Sequence, residues 1–171
     1  MGSHEGRRGW ALCRRTRERG AAAVEFALIM PLLALLLFGI VDYGLYFNNS
    51  LSARSGIREA VRQGVVQTAP AGTCADAGNF VGQVACAARA DISAIGTTYV
   101  KTFYTSWSSG QSLTVCSLVK TDGLIGFVPM PRDGYVRSRT SMAIEVAQPV
   151  PAGPTSYADD LPTGQDWSWC G

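Results

Sequence analysis

The run from Ala21 to Val41, AAAVEFALIMPLLALLLFGIV, is 21 residues long and apolar except for Glu25. A helix rises ~1.5 Å per residue, so the run spans roughly 30 Å, about one bilayer core. A basic stretch, RRGWALCRRTRERG, precedes it, and about 130 more polar residues follow. These boundaries predict a leader over residues 1–20, a transmembrane helix over 21–42, an extracytoplasmic α+β domain over 43–147 and a Pro/Gly-rich tail over 148–171. Pro31 lies inside the run and reads as a local bend rather than a hinge, because membrane neighbours can satisfy the carbonyl it frees. Gly39 and Gly44 bracket the outer boundary. They suit either local melting or close packing.

The charge is unevenly distributed. Residues 1–20 hold six arginines against Glu5 and Glu18, a net +4, while the rest holds nine basic and eleven acidic residues, a net −2. Arginines beside a membrane segment stay on the cytoplasmic side, which places the N-terminus inside and the bulk of the chain outside. A nucleic-acid partner would need a basic surface on the folded part, and none is visible there. An ordinary secretory signal fits poorly. Its apolar region is shorter, about 7–15 residues, and FGIVDYGLYFNN offers no small-residue cleavage site.

Glu25 is the anomaly. A carboxylate inside a bilayer costs a few kcal/mol unless something pairs with it. One reading places Glu25 at the headgroups, with the true span starting at Phe26. The other pairs it with a positive group near the helix start, such as an α-amine freed by cleavage after Gly20.

An Arg-rich leader ending in Gly20, then Ala21, Glu25 at the fifth position, Phe26 at the sixth and an apolar helix resembles a class III signal. The longer string RERGAAAVEFALIMPLLALLLFGIVDYGLYFNNSLSARSGIREAVRQGVV is similar to the N-terminal signature of TadE-like proteins. These are minor pilins or pseudopilins of Tad (tight adherence, Flp-type) pilus systems. The resemblance is strong over residues 15–66 and general beyond. Phe26 stands where such pilins often carry Tyr. The resemblance implies cleavage between Gly20 and Ala21 by a prepilin peptidase. It gives Glu25 a role in setting the register between subunits. It names the membrane, the peptidase, other pilin subunits and the Tad secretion machinery as partners, at the cytoplasmic membrane or in a cell-surface pilus. The alternative is an uncleaved single-pass membrane protein with an extracytoplasmic binding domain.

Helical spacing continues past the apolar run. Tyr43, Tyr46 and Phe47, then Ile57, Ala60, Val61 and Val65, recur at three- and four-residue intervals around a polar patch, Asn48 to Gly56. One helix over 21–66 is expected, loosened near Gly56, with Glu59 and Arg62 paired on its exposed face. The aromatics suit an interfacial belt. Residues 67–78 read as a loop. A second helix follows, capped by Asn79, carrying Phe80, Val84, Ala87, Ala88 and Ile92, and ended by Gly96.

Alternation then predicts strands over 97–107, 111–121 and 135–147, with a crossing loop or edge over 123–134. The third strand places Val136, Ser138, Thr140, Met142, Ile144 and Val146 on one side and Arg137, Arg139 and Glu145 on the other. The fold class is α+β: a long N-terminal pilin-like transmembrane helix, one further helix and a small antiparallel sheet.

Cys13 lies in the leader, whereas Cys74, Cys86, Cys116 and Cys170 follow the apolar run. Four cysteines on one side suit two disulfides in an oxidising compartment. Metal binding is disfavoured, since no C-x2-C spacing occurs and no histidine is near. Of three connectivities, Cys74–Cys86 with Cys116–Cys170 is the expected one. The second bridge would tie back the tail and let Trp167 and Trp169 cover an open sheet face; the alternative leaves both exposed and adhesive.

No enzyme is expected. The sole histidine, His4, lies in the leader, so the exported part lacks the usual general base. Lys101 and Lys120 sit on expected strands without a motif, and Asp159 and Asp160 read as solvated loop charges. The clusters Arg58/Arg62 and Arg137/Arg139 read as exposed faces. No phosphate loop or dinucleotide fingerprint is present, and neither cofactor nor small-molecule substrate is expected.

Overall fold

The computed structural model describes residues 9–67, 74–123, 129–146 and 149–171, with side chains from residue 20 onward. The start of the leader, half of the expected loop 67–78, part of the expected crossing 123–134, the last residue of the expected third strand and the first residue of the expected tail lie outside the described residues. The elements are α1 (Gly9–Val65), α2 (Phe80–Asp91), β1 (Thr97–Tyr104), β2 (Ser112–Lys120), β3 (Tyr135–Ala143) and β4 (Ser156–Ala158). The fold is α+β, with a long N-terminal apolar helix, a second helix and a four-stranded antiparallel sheet ordered β3-β2-β1-β4. The chain divides into two compact units, Met1–Val41 and Asp42–Gly171.

In the first unit the helix starts earlier than residue 21. The leader is helical from Gly9, in keeping with its arginines and glutamates, which are good helix formers. The helix passes through Pro31 without a break.

In the second unit, α1 and α2 pack on one face of the sheet. Ala53, Ile57, Ala60, Val61 and Val65 recur at helical spacing and are buried. They meet Val81, Val84, Ala85 and Ala88 of α2 in one core with Val100, Leu113, Val115, Val119 and Val136 of the strands. The register joins Tyr104 to Leu113, Val100 to Ser117 and Val119 to Val136, so these positions share the helix-facing side. Phe80, Tyr104 and Trp107 form an edge-to-face cluster with centroids 4.9–6.5 Å apart, and the Trp107 indole N–H donates to the Val146 carbonyl at 2.9 Å.

Two glycines differ from expectation. Gly56 does not loosen α1. It is buried, and a Cβ there would lie 2.6 Å from Ile92 Cγ1 and 3.0 Å from the Asp91 and Ile92 backbone. It is the close-approach point of α1 with the end of α2. Gly96 does not end α2, which stops at Asp91 with Ile92 as its cap. Gly96 has φ +132°, and a Cβ there would meet the Lys120 carbonyl oxygen at 1.9 Å. It opens β1 against the end of β2. Asn79 caps α2, its side chain accepting from the Gly82 N–H at 2.9 Å.

The expected Glu59–Arg62 pair is present at 2.7 Å. Hydrogen bonds from Arg62 and then Gln63 lower the Glu59 pKa to about 2. A carboxylate held below its unfolded value stabilises the fold above about pH 4.5 and loses that contribution as pH falls toward 2. Glu59→Gln is therefore expected to flatten the acid limb of the urea-denaturation stability profile between about pH 4.5 and 2, leaving the salt-sensitive surface pair a small effect at neutral pH.

Candidate membrane and assembly helix

Residues 20–41 form a helix whose side chains are largely exposed. Every side chain from Gly20 to Leu33 is exposed, and Phe26, Leu28, Leu32 and Ile40 are 63–75% exposed. The helix is long and apolar enough to cross a membrane. Exposed apolar surface on this scale demands a covering, either lipid or other apolar helices.

Gly20 and Ala21 lie inside α1, not at its start, and nothing lies within 4 Å of a Cβ placed on Gly20. Glu25 and Phe26 are exposed, one turn further on. No charged group among the described residues pairs with Glu25. A Cβ on Gly39 or Gly44 likewise meets nothing within 4 Å among the described residues.

The part of α1 from Asp42 onward is held to the rest of the second unit by polar contacts. Asp42 is buried, beside Gly123. The Tyr43 hydroxyl donates to the Pro129 carbonyl at 3.0 Å. Asn49 is fully buried and makes three bonds. It donates to the Ile95 carbonyl at 2.7 Å and to Thr121 Oγ1 at 2.8 Å, and accepts from the Ile95 N–H at 2.9 Å. Asn49 thus belongs to the core-facing stripe and not to a polar patch. Its position four residues before Ala53 on that stripe was the available signal.

The tail is folded. Two disulfides join Cys74 to Cys86 and Cys116 to Cys170. Cys116 faces away from the helices, so the second bridge lays the chain end over the outer sheet face, where Arg137 stacks 5.6 Å from the Trp169 ring. Trp167 and Trp169 are half-buried, 5.6 Å apart, and Trp167 donates to the Asp159 carbonyl.

The reading of Asp159 as a solvated loop charge is corrected. Its side chain is 18% exposed and accepts from Arg89 at 2.7 and 2.8 Å, from the Val100 N–H at 2.8 Å and from the Tyr157 hydroxyl at 2.8 Å. Burial works against the Arg89 charge, but the bonds with Asp159 and Tyr157 outweigh it and raise its pKa. Asp160 is exposed, as expected. Lys101 and Lys120 sit on β1 and β2, Lys101 over the Phe103 ring and Lys120 3.6 Å from Asp122.

Residues 20–62 match the family model described as TadE-like protein. The matched stretch, about a quarter of the chain, holds all of the apolar run 21–41 and most of the part of α1 beyond it. No curated protein and no solved structure matches. A TadE-like segment on a long N-terminal apolar helix is consistent with a pilin-like Tad component.

Proposed function

We propose that this chain, TadE-like over residues 20–62, is a minor pilin or pseudopilin of a Tad pilus system. It is inserted with its leader inside and the unit from Asp42 onward outside. A prepilin peptidase cuts it between Gly20 and Ala21, and the freed helix packs against the helices of other subunits. The carrying observation is the exposed apolar helix with Glu25 near its start, unpaired among the described residues. An unpaired acid inside the bilayer is costly, at most about 2.5–3.5 kcal/mol at the helix centre on insertion scales and less toward the start where Glu25 lies, and a neighbour's α-amine at Ala21 would offset that cost. Cleavage requires an extended strand in the protease, so α1 must open locally around residue 20. Gly20 lowers that barrier, being about 1 kcal/mol worse than alanine within a helix.

The helical continuity across Gly20 and Ala21 favours a second reading, an uncleaved single-pass anchor. Intact mass and N-terminal sequence of the membrane-extracted protein, with and without the cognate peptidase, separate the two. The proposal expects a peptidase-dependent start at Ala21; a Met1 start in both strains leaves only the anchor. Glu25→Ala is expected to insert and be cut normally, yet to lose at least tenfold of its incorporation into sheared pili. Undiminished incorporation would remove Glu25 from subunit pairing.

A further inference from the structure

The two edges of the sheet are finished differently. At β1, the tail closes the edge. β4 pairs with Lys101, Thr102 and Phe103, and the Tyr104 N–H donates to the Thr155 carbonyl at 3.0 Å. The Val100 carbonyl accepts from the Asp159 N–H at 3.1 Å, while the Val100 N–H is taken by the Asp159 carboxylate. An extended, acid-bearing segment therefore seals this edge, with its acid also paired to Arg89.

At β3, nothing equivalent is present among the described residues. This strand is nine residues long and is the last in the sheet order. Every second residue of an outer strand turns its N–H and C=O away from the sheet. Arg137 and Arg139 are exposed on the face away from the helices, opposite Leu118 and Cys116 of β2. There Arg137 donates to Gln165 Oε1 at 3.2 Å and stacks on Trp169, Arg139 passes beside Gly171, and both keep exposed guanidinium surface. On the other face, Thr140 and Met142 are half-buried.

We propose that the β3 edge is the docking edge for an acidic extended segment of another polypeptide, added as a fifth strand. Main-chain bonds along β3 supply the pairing. Arg137 and Arg139, two residues apart, select a partner with acidic side chains at alternate positions on the outer face. The same arginines disfavour a second copy of this chain, because an antiparallel β3 pair centred on Arg139 sets like charges opposite one another. The chain's own tail illustrates the chemistry at the opposite edge. The inference concerns the exported unit and does not depend on the pilin reading.

The test uses the full chain in detergent micelles and the labelled peptide Thr-Glu-Val-Glu-Val-Glu-Thr, followed by fluorescence anisotropy. A Lys-for-Glu peptide and two Glu peptides, N-methylated on odd or on even residues, serve as controls. Saturable binding at least tenfold tighter for Glu than for Lys is expected. Methylation on one parity should abolish it and on the other should not. Hydrogen exchange should slow at amides of 135–143, and Arg139→Glu should reverse the preference. The inference is overturned by no saturation up to ~1 mM peptide, by binding indifferent to both methylation patterns, by protection elsewhere in the chain, or by a β3-mediated homodimer that excludes the peptide. The peptide controls leave the protein untouched, so a poorly folding arginine variant does not blunt the test.

Discussion

Replacing the Cys116–Cys170 bridge by alanines is expected to lower the stability of the unit Asp42–Gly171 by about 4 kcal/mol. The two cysteines are 54 residues apart and both fully buried. Cross-linking a loop of that size removes much of the unfolded chain's freedom, whereas the 12-residue separation of Cys74 and Cys86 predicts only about 3 kcal/mol. The damage should be local first. β4 is three residues long, and three residues of ladder cannot hold a Pro/Gly-rich tail by themselves. Urea denaturation of the two double variants checks the ranking, and hydrogen exchange checks the locality. Exchange should accelerate in residues 149–171 well before β2 or α2. A loss no greater than that of the Cys74/Cys86 variant would mean that Asp159 and β4 hold the tail.

Asn49→Ala is expected to cost about 3 kcal/mol. The change removes three hydrogen bonds and leaves the Ile95 N–H and C=O and the Thr121 hydroxyl without their partner. The buried Thr121 hydroxyl carries the full cost of roughly 1–3 kcal/mol, and the part-buried Ile95 groups, which water can reach, add less. Asn49→Asp should be at least as damaging, because it keeps the acceptor for Ile95 but loses both donor bonds and buries a charge. Thr121→Val alone loses one bond. In a double-variant cycle with Asn49→Ala it should show coupling of about 1 kcal/mol. Additive losses would mean that Asn49 acts through packing and not through this network. Since Asn49 ties α1 to the start of β1 and the end of β2, its loss should also loosen how the helix is held at Tyr43.

The periodic elements were legible because their signals are local. Val84, Ala87 and Ala88 recur on α2, and Asn79 bonds to a residue three positions on. Alternation located β1–β3, although the first two strands are shorter than expected and β3 ends at Ala143. The misread positions all have distant partners. Asn49 bonds 46 and 72 residues away; Asp159 bonds 59 and 70 residues away. Gly56 and Gly96 are set by what lies across from them, the end of α2 and the Lys120 carbonyl. β4 carried no legible alternation, since three residues in a Pro/Gly-rich tail are too few for a period.

By itself the sequence determined that this chain holds one apolar helix of bilayer length, with a solitary carboxylate at its fifth position and an α+β unit beyond it. Those features rest on composition and period, which a helix or strand expresses wherever it is placed. Only the tertiary structure decided that the tail is part of the sheet, that Asp159 is a half-buried junction between α2, β1 and the tail, and that Asn49 is a core residue. The physical reason is the same in each case. A polar side chain carries no mark of its partner, and whether it is solvated or buried depends on which distant donors and acceptors the fold brings within hydrogen-bond distance.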